Sequence, residues 1–160
     1  MPPDARTASL HPAKVSILVP CYNELRTIRG VLEAIAGQTY PLDRVEVIIA
    51  DGMSEDGTRE AILGFGEQRP ELSIRIVDNP QRIVPAALNR GVAASSGDLV
   101  IRLDAHSVPR PDYVERCLEA LERTGAANVG GIWEIHPSSP SWIARAIAAA
   151  AGHPLGAGDA

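Results

Sequence analysis

Residues 15–24 read Val-Ser-Ile-Leu-Val-Pro-Cys-Tyr-Asn-Glu, which joins a short apolar run to a polar turn. A run such as residues 15–19 that stops at a proline is typical of a strand buried on both faces. Asn23 is placed to cap a following helix, with Glu24 in its first turn and Gly37 at its end. Apolar residues at helical spacing support that helix: Leu25, Ile28, Val31, Leu32 and Ile35. The stretch therefore predicts a buried strand followed by a helix.

The same strand-then-helix unit repeats along the chain. Further strands are predicted over residues 45–50, 72–77, 98–103 and 128–135, and helices over 58–65, 85–95, 111–124 and 142–151. Strands that alternate with helices predict a mainly parallel sheet covered by helices on both faces, joined by right-handed crossovers. The expected fold class is α/β.

Pattern and composition divide the chain into three parts. Residues 1–13 carry three prolines and no periodicity, so we expect a flexible arm. Residues 14–136 hold the repeating units and form the predicted domain. In residues 137–160 the pattern weakens into glycine-rich sequence, and we expect a partial segment of a longer protein that is truncated at its C-terminal end.

Composition excludes several classes of protein. The 160 residues are 45% hydrophobic, which suffices for one core, and the net charge of −5 without a basic tract argues against nucleic-acid binding. Cys21 and Cys117 lie far apart without metal-ligand spacing, so we expect buried, reduced thiols. No secretion signal and no apolar stretch of about 18 residues is visible, and we expect a cytoplasmic chain.

Polar residues follow the predicted strands where each strand ends. These strand ends carry residues 20–24, 51–56, 78–82 and 104–106. Open parallel sheets bind ligands beyond the carboxyl ends of their strands, and helix N-termini at the same edge favour phosphate groups. The pattern predicts a ligand site at this edge.

Known phosphate motifs narrow the choice of ligand. The chain has neither the glycine fingerprint of dinucleotide sites, nor a P-loop, nor a nucleophile elbow. A nucleotide site that holds phosphate through a metal remains. Asp104 and His106, two residues apart, can both reach one divalent ion; carboxylate suits Mg²⁺ or Mn²⁺, and imidazole favours Mn²⁺. The ion would neutralise a diphosphate leaving group.

Each of these candidate site residues also has a purely structural interpretation. Asp104 with His106, and Asp51 with Gly52, also suit ordinary turns, and Arg82 suits a solvated surface position.

Three blocks together resemble the family 2 glycosyltransferases, inverting enzymes with the GT-A fold. The blocks are "VSILVPCYNE" at 15–24, "VEVIIADGMSEDGT" at 45–58 and "NRGVAASSGDLVIRLDAH" at 89–106. The runs "DNPQRIVPAALNRG" and "TGAANVGG" are most similar to the succinoglycan and exopolysaccharide branch. The resemblance covers residues 14–136, which would form the nucleotide-sugar-binding domain, and residues 137–160 would be a partial, truncated acceptor-side segment.

The resemblance assigns roles to residues. Pro20, Tyr22, Asn23 and Glu24 would line the nucleotide pocket, and Arg82 would contact the donor. Asp51 would accept a hydrogen bond from the uracil ring nitrogen. Asp104 would approach the ribose and the metal, and His106 would ligate the metal where the family commonly has a second aspartate. This departure makes cation binding pH-sensitive, because a protonated imidazole cannot ligate.

The reaction that the resemblance implies is direct displacement of UDP from a UDP-sugar, UDP-glucose in this branch, by a hydroxyl of a glycan or lipid-linked acceptor. The family's catalytic base lies after the matched region, so we expect no catalytic base in this chain and no turnover by it alone. The full-length protein would act at the inner face of the plasma membrane, through segments outside this chain.

Three alternatives remain open on the sequence alone. One is an NAD-binding domain, which the missing glycines oppose. Another is a non-catalytic nucleotide-sugar-binding or scaffold module of the same fold. The last is a Rossmann-like domain without a site, which the acidic residues at three strand ends oppose.

Overall fold

A computed structural model describes residues 13–131, 134, 137 and 139–151. Its strands are β1 (Val15–Cys21), β2 (Val45–Asp51), β3 (Ser73–Asp78) and β4 (Leu99–Arg102). Its helices are α1 (Ile28–Ala36), α2 (Thr58–Gln68), α3 (Val84–Ala94), α4 (Tyr113–Thr124) and α5 (Trp142–Ala151), and a 3-10 turn covers Leu42–Arg44. The four strands form a parallel sheet in the order β3-β2-β1-β4. The α/β class is confirmed.

Helices cover both faces of the sheet. All of β2 is buried, and so is β1 except at Pro20, which explains their nearly continuous apolar runs. On one face α3 approaches closely, and a Cβ added at Gly91 would lie 3.2 Å from the side chain of Leu18. On the other face one core joins alternate residues of β1 to α1 and α4; its members include Val15, Ile17, Val19, Ile28, Val31, Leu32, Ile35, Val114 and Leu118.

The sequence pattern predicts that the first strand stops at Pro20, but β1 continues through Pro20 to Cys21. Pro20 pairs with Ala50 of β2, and Cys21 pairs with Asp51. The Leu18 carbonyl points towards β4, since it accepts from the Leu103 N–H at 2.9 Å. The backbone of Pro20, two residues on, faces the same side, where β4 has already ended. The missing N–H of proline therefore costs no ladder hydrogen bond.

Helix α1 begins at Ile28, so the prediction that Asn23 caps it is wrong. Asn23 instead adopts a left-handed conformation with φ of 53° and accepts a hydrogen bond from the Glu55 N–H at 3.0 Å. Thr27 stands at the helix N-cap without a side-chain capping bond. The loop after β2 competes for the Asn23 side chain, and that tertiary contact decides the helix start.

The predicted fifth strand does not form where the structure describes it. Residues 128–131 have no strand conformation, and residues 132, 133 and 135 lie outside the described residues. The predicted arm also lies outside them, apart from Ala13. Two compact units divide between Val129 and Gly130, with α5 in the second. Within the described chain, the helices are all too short or too polar to cross a bilayer.

Candidate functional site

A cleft of about 180 Å³ opens at the carboxyl ends of β1 and β4, beside the start of α3. The strand order changes direction at β1, which is where open α/β sheets place their ligands. Six of the eight residues predicted to form the site line this cleft: Pro20, Tyr22, Glu24, Arg82, Asp104 and His106. The other two, Asn23 and Asp51, do not line it.

Asp104 and His106 lie in the turn that follows β4. Arg102 donates a hydrogen bond of 2.7 Å to Oδ1 of Asp104, and the Ser107 N–H closes the turn on the Asp104 carbonyl at 2.9 Å. His106 Nδ1 lies 3.6 Å from Oε1 of Glu24, whose Oε2 accepts from the Thr27 hydroxyl at 2.5 Å. Two carboxylates and an imidazole thus line the cleft together.

These donors suit a divalent ion that also binds phosphate. Over the described residues there is no cluster of three or more His, Cys, Asp or Glu side chains ready to hold a metal. Mg²⁺ commonly takes only one or two protein carboxylates and completes its shell with water and substrate phosphates, and Mn²⁺ accepts carboxylate and imidazole ligands. Asp104 and His106 fit such a shared site and do not form a preformed metal cage.

Tyr22 and Arg82 also line the cleft and contact each other. The Arg82 guanidinium carbon lies 5.4 Å from the centroid of the Tyr22 ring, and Nη1 donates to the tyrosine hydroxyl at 3.4 Å. Arg82 Nη2 also lies 3.3 Å from Oε1 of Glu55. Its backbone adopts a left-handed φ of 55°, a conformation that costs a non-glycine residue free energy. Several contacts therefore hold Arg82 over the aromatic face.

Gly52 supports the Tyr22 ring from behind. A Cβ built at Gly52 would lie between 3.0 and 3.3 Å from Cβ, Cγ and Cδ2 of Tyr22. An alanine at this position would require the ring to shift by a few tenths of an ångström. The Asp-Gly pair after β2 thus has a packing reason in addition to the turn chemistry that the sequence indicates.

Asp51 lies behind the cleft and is fully buried. Its Oδ1 accepts from the Ser54 hydroxyl at 2.5 Å, and its Oδ2 accepts from the Ser54 N–H at 3.1 Å and from Arg59 at 2.9 Å. Arg59 bridges to Asp78 as well, at 2.8 Å, and these two hydrogen bonds raise the Arg59 pKa. Both carboxylate oxygens are therefore engaged by the protein. The predicted contact of Asp51 with the base stays a prediction.

The two cysteines are free and buried, as the sequence predicts. Burial, together with the negative charges of Asp51 and Glu24, raises the pKa of the Cys21 thiol to about 12. Cys21 lines the cleft as a protonated thiol, which makes it a poor nucleophile.

Asn79 is a residue of the cleft that the sequence analysis did not single out. Its backbone N–H donates to the Asp51 carbonyl at 2.7 Å, and its side-chain Nδ2 donates to the Ile83 carbonyl at 3.1 Å. Across the described part of the chain, its Oδ1 is buried without a hydrogen-bond partner. The signal that could have revealed it is an amide directly after a strand, in the Asp-Asn-Pro turn at 78–80.

Known proteins are similar to this chain in sequence. The model of the family "Glycosyl transferase family 2" matches residues 16–156. Succinoglycan biosynthesis protein ExoA of Rhizobium meliloti is 41% identical over 115 residues, which are 71% of this chain and 34% of that protein. Glycosyltransferase AglE of Haloferax volcanii is 38% identical over 117 residues, which are 73% of this chain and 38% of that protein. The chain thus spans about a third of the length of these relatives.

Solved structures agree with the sequence comparison. A mannosyltransferase from Pyrobaculum calidifontis, in complex with GDP-Man and Mn²⁺, is 31% identical with a TM-score of 0.64; the match covers 74% of this chain and 34% of that one. Glucosyl-3-phosphoglycerate synthase from Mycobacterium tuberculosis, with Mn²⁺, UDP and glucosyl-3-phosphoglycerate, is 26% identical with a TM-score of 0.54, over 72% and 42%. The sequence, the GT-A fold and the strand-end cleft point to one assignment: the chain belongs to glycosyl transferase family 2.

Proposed function

We propose that this chain binds the donor of an inverting glycosyltransferase, a UDP-sugar, together with a divalent cation. One observation carries the proposal: a single cleft is lined both by Asp104 and His106 and by the Tyr22–Arg82 pair. The first pair suits a cation and a diphosphate, and the aromatic face with its guanidinium suits a nucleoside. The whole protein would transfer the sugar to a hydroxyl of an acceptor.

Different residues of the chain would have different roles in binding the donor. Arg82, whose guanidinium lies over the Tyr22 ring, offers a planar cation on which the base would stack. Pro20 and Glu24 line the wall, while Asn23 fixes the loop after β2 through Glu55. Asp51 anchors that loop and is the proposed acceptor for the uracil N–H.

Asp104 and His106 would hold the cation, either Mn²⁺ or Mg²⁺. When bound, the cation would neutralise the negative charge that develops on the departing diphosphate. Glu24 keeps a carboxylate 3.6 Å from Nδ1 of His106, where its negative charge would favour a nearby cation.

The proposal also includes the identity of the donor sugar and of the acceptor. Similarity to a protein named for succinoglycan biosynthesis supports polysaccharide biosynthesis as the process. UDP-glucose as the donor, and a glycan or a lipid-linked sugar as the acceptor, follow from the resemblance to that branch of the family.

Calorimetric titration of UDP tests the proposal. We expect wild-type protein to bind UDP about 10- to 100-fold more tightly with Mn²⁺ than with EDTA, the range that charge-assisted contacts provide. Asp104→Asn and His106→Ala should each lose most of this dependence on the ion. Asp43→Asn is a matched control, because Asp43 is exposed at the amino end of β2, away from the cleft.

Two outcomes would contradict the proposal. Equal UDP affinity with Mn²⁺ and with EDTA, unchanged in Asp104→Asn, would overturn the cation site. Absence of UDP binding by the wild-type chain, or a clear preference for GDP over UDP, would overturn the assignment of the donor.

A further inference from the structure

Arg102, the last residue of β4, contacts the proposed cation ligand Asp104. Its Nη2 donates to Oδ1 of Asp104 at 2.7 Å, a distance typical of a charge-assisted hydrogen bond. Leu103, which separates them, is buried in the core, as expected where alternate residues of an extended chain point to opposite sides. A positive charge therefore lies against a carboxylate that lines the cleft.

The turn after β4 holds Asp104 in place for this contact. Its carbonyl accepts from the Ser107 N–H at 2.9 Å and from the Ser107 hydroxyl at 2.8 Å. The side chain of Asp104 is only 26% exposed, whereas that of Arg102 is 53% exposed. The ion pair thus combines a carboxylate held by the turn with a guanidinium that is accessible to an anion beside Asp104.

The charges of the cleft are largely compensated within the protein. The acidic, basic and imidazole side chains that line it are Glu24, Arg82, Asp104 and His106. Arg82 lies 3.3 Å from Glu55, and Asp104 lies 2.7 Å from Arg102. A neutral His106 adds no negative charge, so Glu24 is the main source of negative potential among these residues. Such a cleft offers a free divalent cation little attraction.

A diphosphate changes this balance. It brings negatively charged oxygens, which Mg²⁺ commonly binds together with one or two protein carboxylates. A guanidinium binds phosphate oxygens through charge-assisted hydrogen bonds, but it repels a bare cation. Arg102 therefore acts in opposite directions on a cation alone and on a cation that is accompanied by a diphosphate.

We propose that Arg102 couples the two ligands: it lowers the affinity of the cleft for a free divalent cation and favours the cation together with the diphosphate of the nucleotide. This inference rests on the proposed function and adds to it a residue that the sequence analysis did not single out. By thermodynamic linkage, the factor by which UDP tightens Mn²⁺ binding is also the factor by which Mn²⁺ tightens UDP binding. Arg102 thus contributes to the cation dependence of UDP affinity.

Mn²⁺ titrations of the intact chain, with and without saturating UDP, test this inference. Binding is followed by the electron paramagnetic resonance signal of free Mn²⁺, and a parallel titration of Asp104→Asn measures the ions bound elsewhere on the chain. We expect Arg102→Gln to bind Mn²⁺ without nucleotide about three- to tenfold more tightly than wild type, because a like charge is removed. With UDP, the Mn²⁺ affinity of this variant should not rise. The ratio of the two Mn²⁺ dissociation constants, without and with UDP, should therefore fall at least about threefold.

Two other arginine variants serve as matched controls. Arg102→Lys keeps the positive charge and should keep most of the wild-type ratio. Arg116 of α4 also donates to an aspartate, Asp112 at 3.1 Å, but it does not line the cleft, so Arg116→Gln should leave Mn²⁺ binding unchanged. Introduced into Asp104→Asn, Arg102→Gln should have no effect on Mn²⁺ binding, because the ion that it affects is the one at Asp104.

Folding and binding failures can be told apart in this design. Thermal unfolding is followed for each variant, and Arg102→Met, which keeps the apolar stem, replaces the glutamine variant if the latter does not fold. A wild-type ratio in the neutral Arg102 variant, or Mn²⁺ affinity raised equally with and without UDP, overturns this inference and leaves the proposed function intact. Failure of the wild-type chain to bind UDP, or a wild-type ratio of one, overturns both.

Discussion

At the scale of single residues, the cleft depends on how one aromatic ring is held. Gly52 lies against the back of Tyr22, and the Arg82 guanidinium lies over the ring. Gly52 does not have a positive φ, so an alanine there would not strain the backbone. Glycine at position 52 is therefore required by the Tyr22 ring and not by the backbone conformation.

Gly52→Ala should therefore weaken nucleotide binding while leaving the fold stable. The new methyl group would displace the Tyr22 ring, and part of the ~1–3 kcal/mol that base stacking contributes would be lost, raising the UDP dissociation constant by about three- to tenfold. Titration of UDP in the presence of Mn²⁺ measures this. Gly66→Ala on α2, where a Cβ would contact nothing within 4 Å, is the control. Unchanged UDP affinity in Gly52→Ala would show that the ring position is unimportant.

At the scale of secondary-structure elements, the sequence predicts those strand positions and helix ends that depend on residues close together in the chain. Apolar runs located β1 and β2, and the glycine after α4 marked its end, since Gly125 adopts a left-handed φ of 63°. The start of α1 was missed, because Asn23 bonds a loop about 30 residues away in sequence. The spacing of residues along the sequence gives no information about a contact of this kind.

For the candidate site too, the sequence could predict the positions of residues along the chain but not the contacts of their side chains. Strand ends converge in any parallel sheet, so the residues at the ends of β1 and β4 could be placed at one edge from the sequence. The pattern could not show that the Asp51 side chain is turned inward, with Arg59 of α2 bound to it. Nor could it show that Asn79 keeps an unused oxygen, because that depends on the path of residues 79–83.

Packing of α3 on the sheet gives a prediction at the element scale. Gly91 allows α3 to approach Leu18 of β1, and the start of the same helix lines the cleft. Gly91→Leu should force α3 away from the sheet and lower the free energy of unfolding by about 1–3 kcal/mol. Urea unfolding measures the effect. Gly64→Leu in α2, where a Cβ has open space, should change stability much less. If both variants unfold at the same urea concentration, close packing at Gly91 does not stabilise the fold.

At the scale of the whole molecule, the two ends of the sheet have different chemistry. At the amino end, Glu46 is buried, and its Oε1 accepts from the Ser16 hydroxyl at 2.5 Å and from the Ser96 N–H at 2.6 Å. Burial alone would raise its pKa, but the hydrogen bonds from Ser16 and Ser96 outweigh burial and lower the pKa to about 2. Glu46 thereby ties β1, β2 and the turn before β4 together.

The low pKa of Glu46 predicts how stability depends on pH. Its pKa is lower in the folded state than the ordinary value of 4.5, so its ionised form stabilises the fold above that pH, and the contribution is lost as the pH falls towards 2. We expect Glu46→Gln to cost about 3 kcal/mol of unfolding free energy near pH 6 and about 1 kcal/mol near pH 3. Urea unfolding of wild type and variant at both pH values measures the difference.

The exposed Glu67 of α2 supplies the control for this experiment. Glu67→Gln should leave the unfolding free energy nearly unchanged at either pH, because an exposed carboxylate has little to lose. If the cost of Glu46→Gln were the same at pH 3 as at pH 6, ionisation of Glu46 would not be what stabilises this end of the sheet.

The early end of β4 has a consequence for how such proteins acquire ligands. Because β4 ends level with Leu18 while β1 continues to Cys21, the last residues of β1 pair with β2 alone among the residues that the structure describes. Pro20 and Ala105 both line the cleft, so the cleft lies where β1 extends beyond the end of β4. Proline is compatible with this margin and hinders any peptide that would add itself as an extra strand, so the opening stays accessible to small molecules.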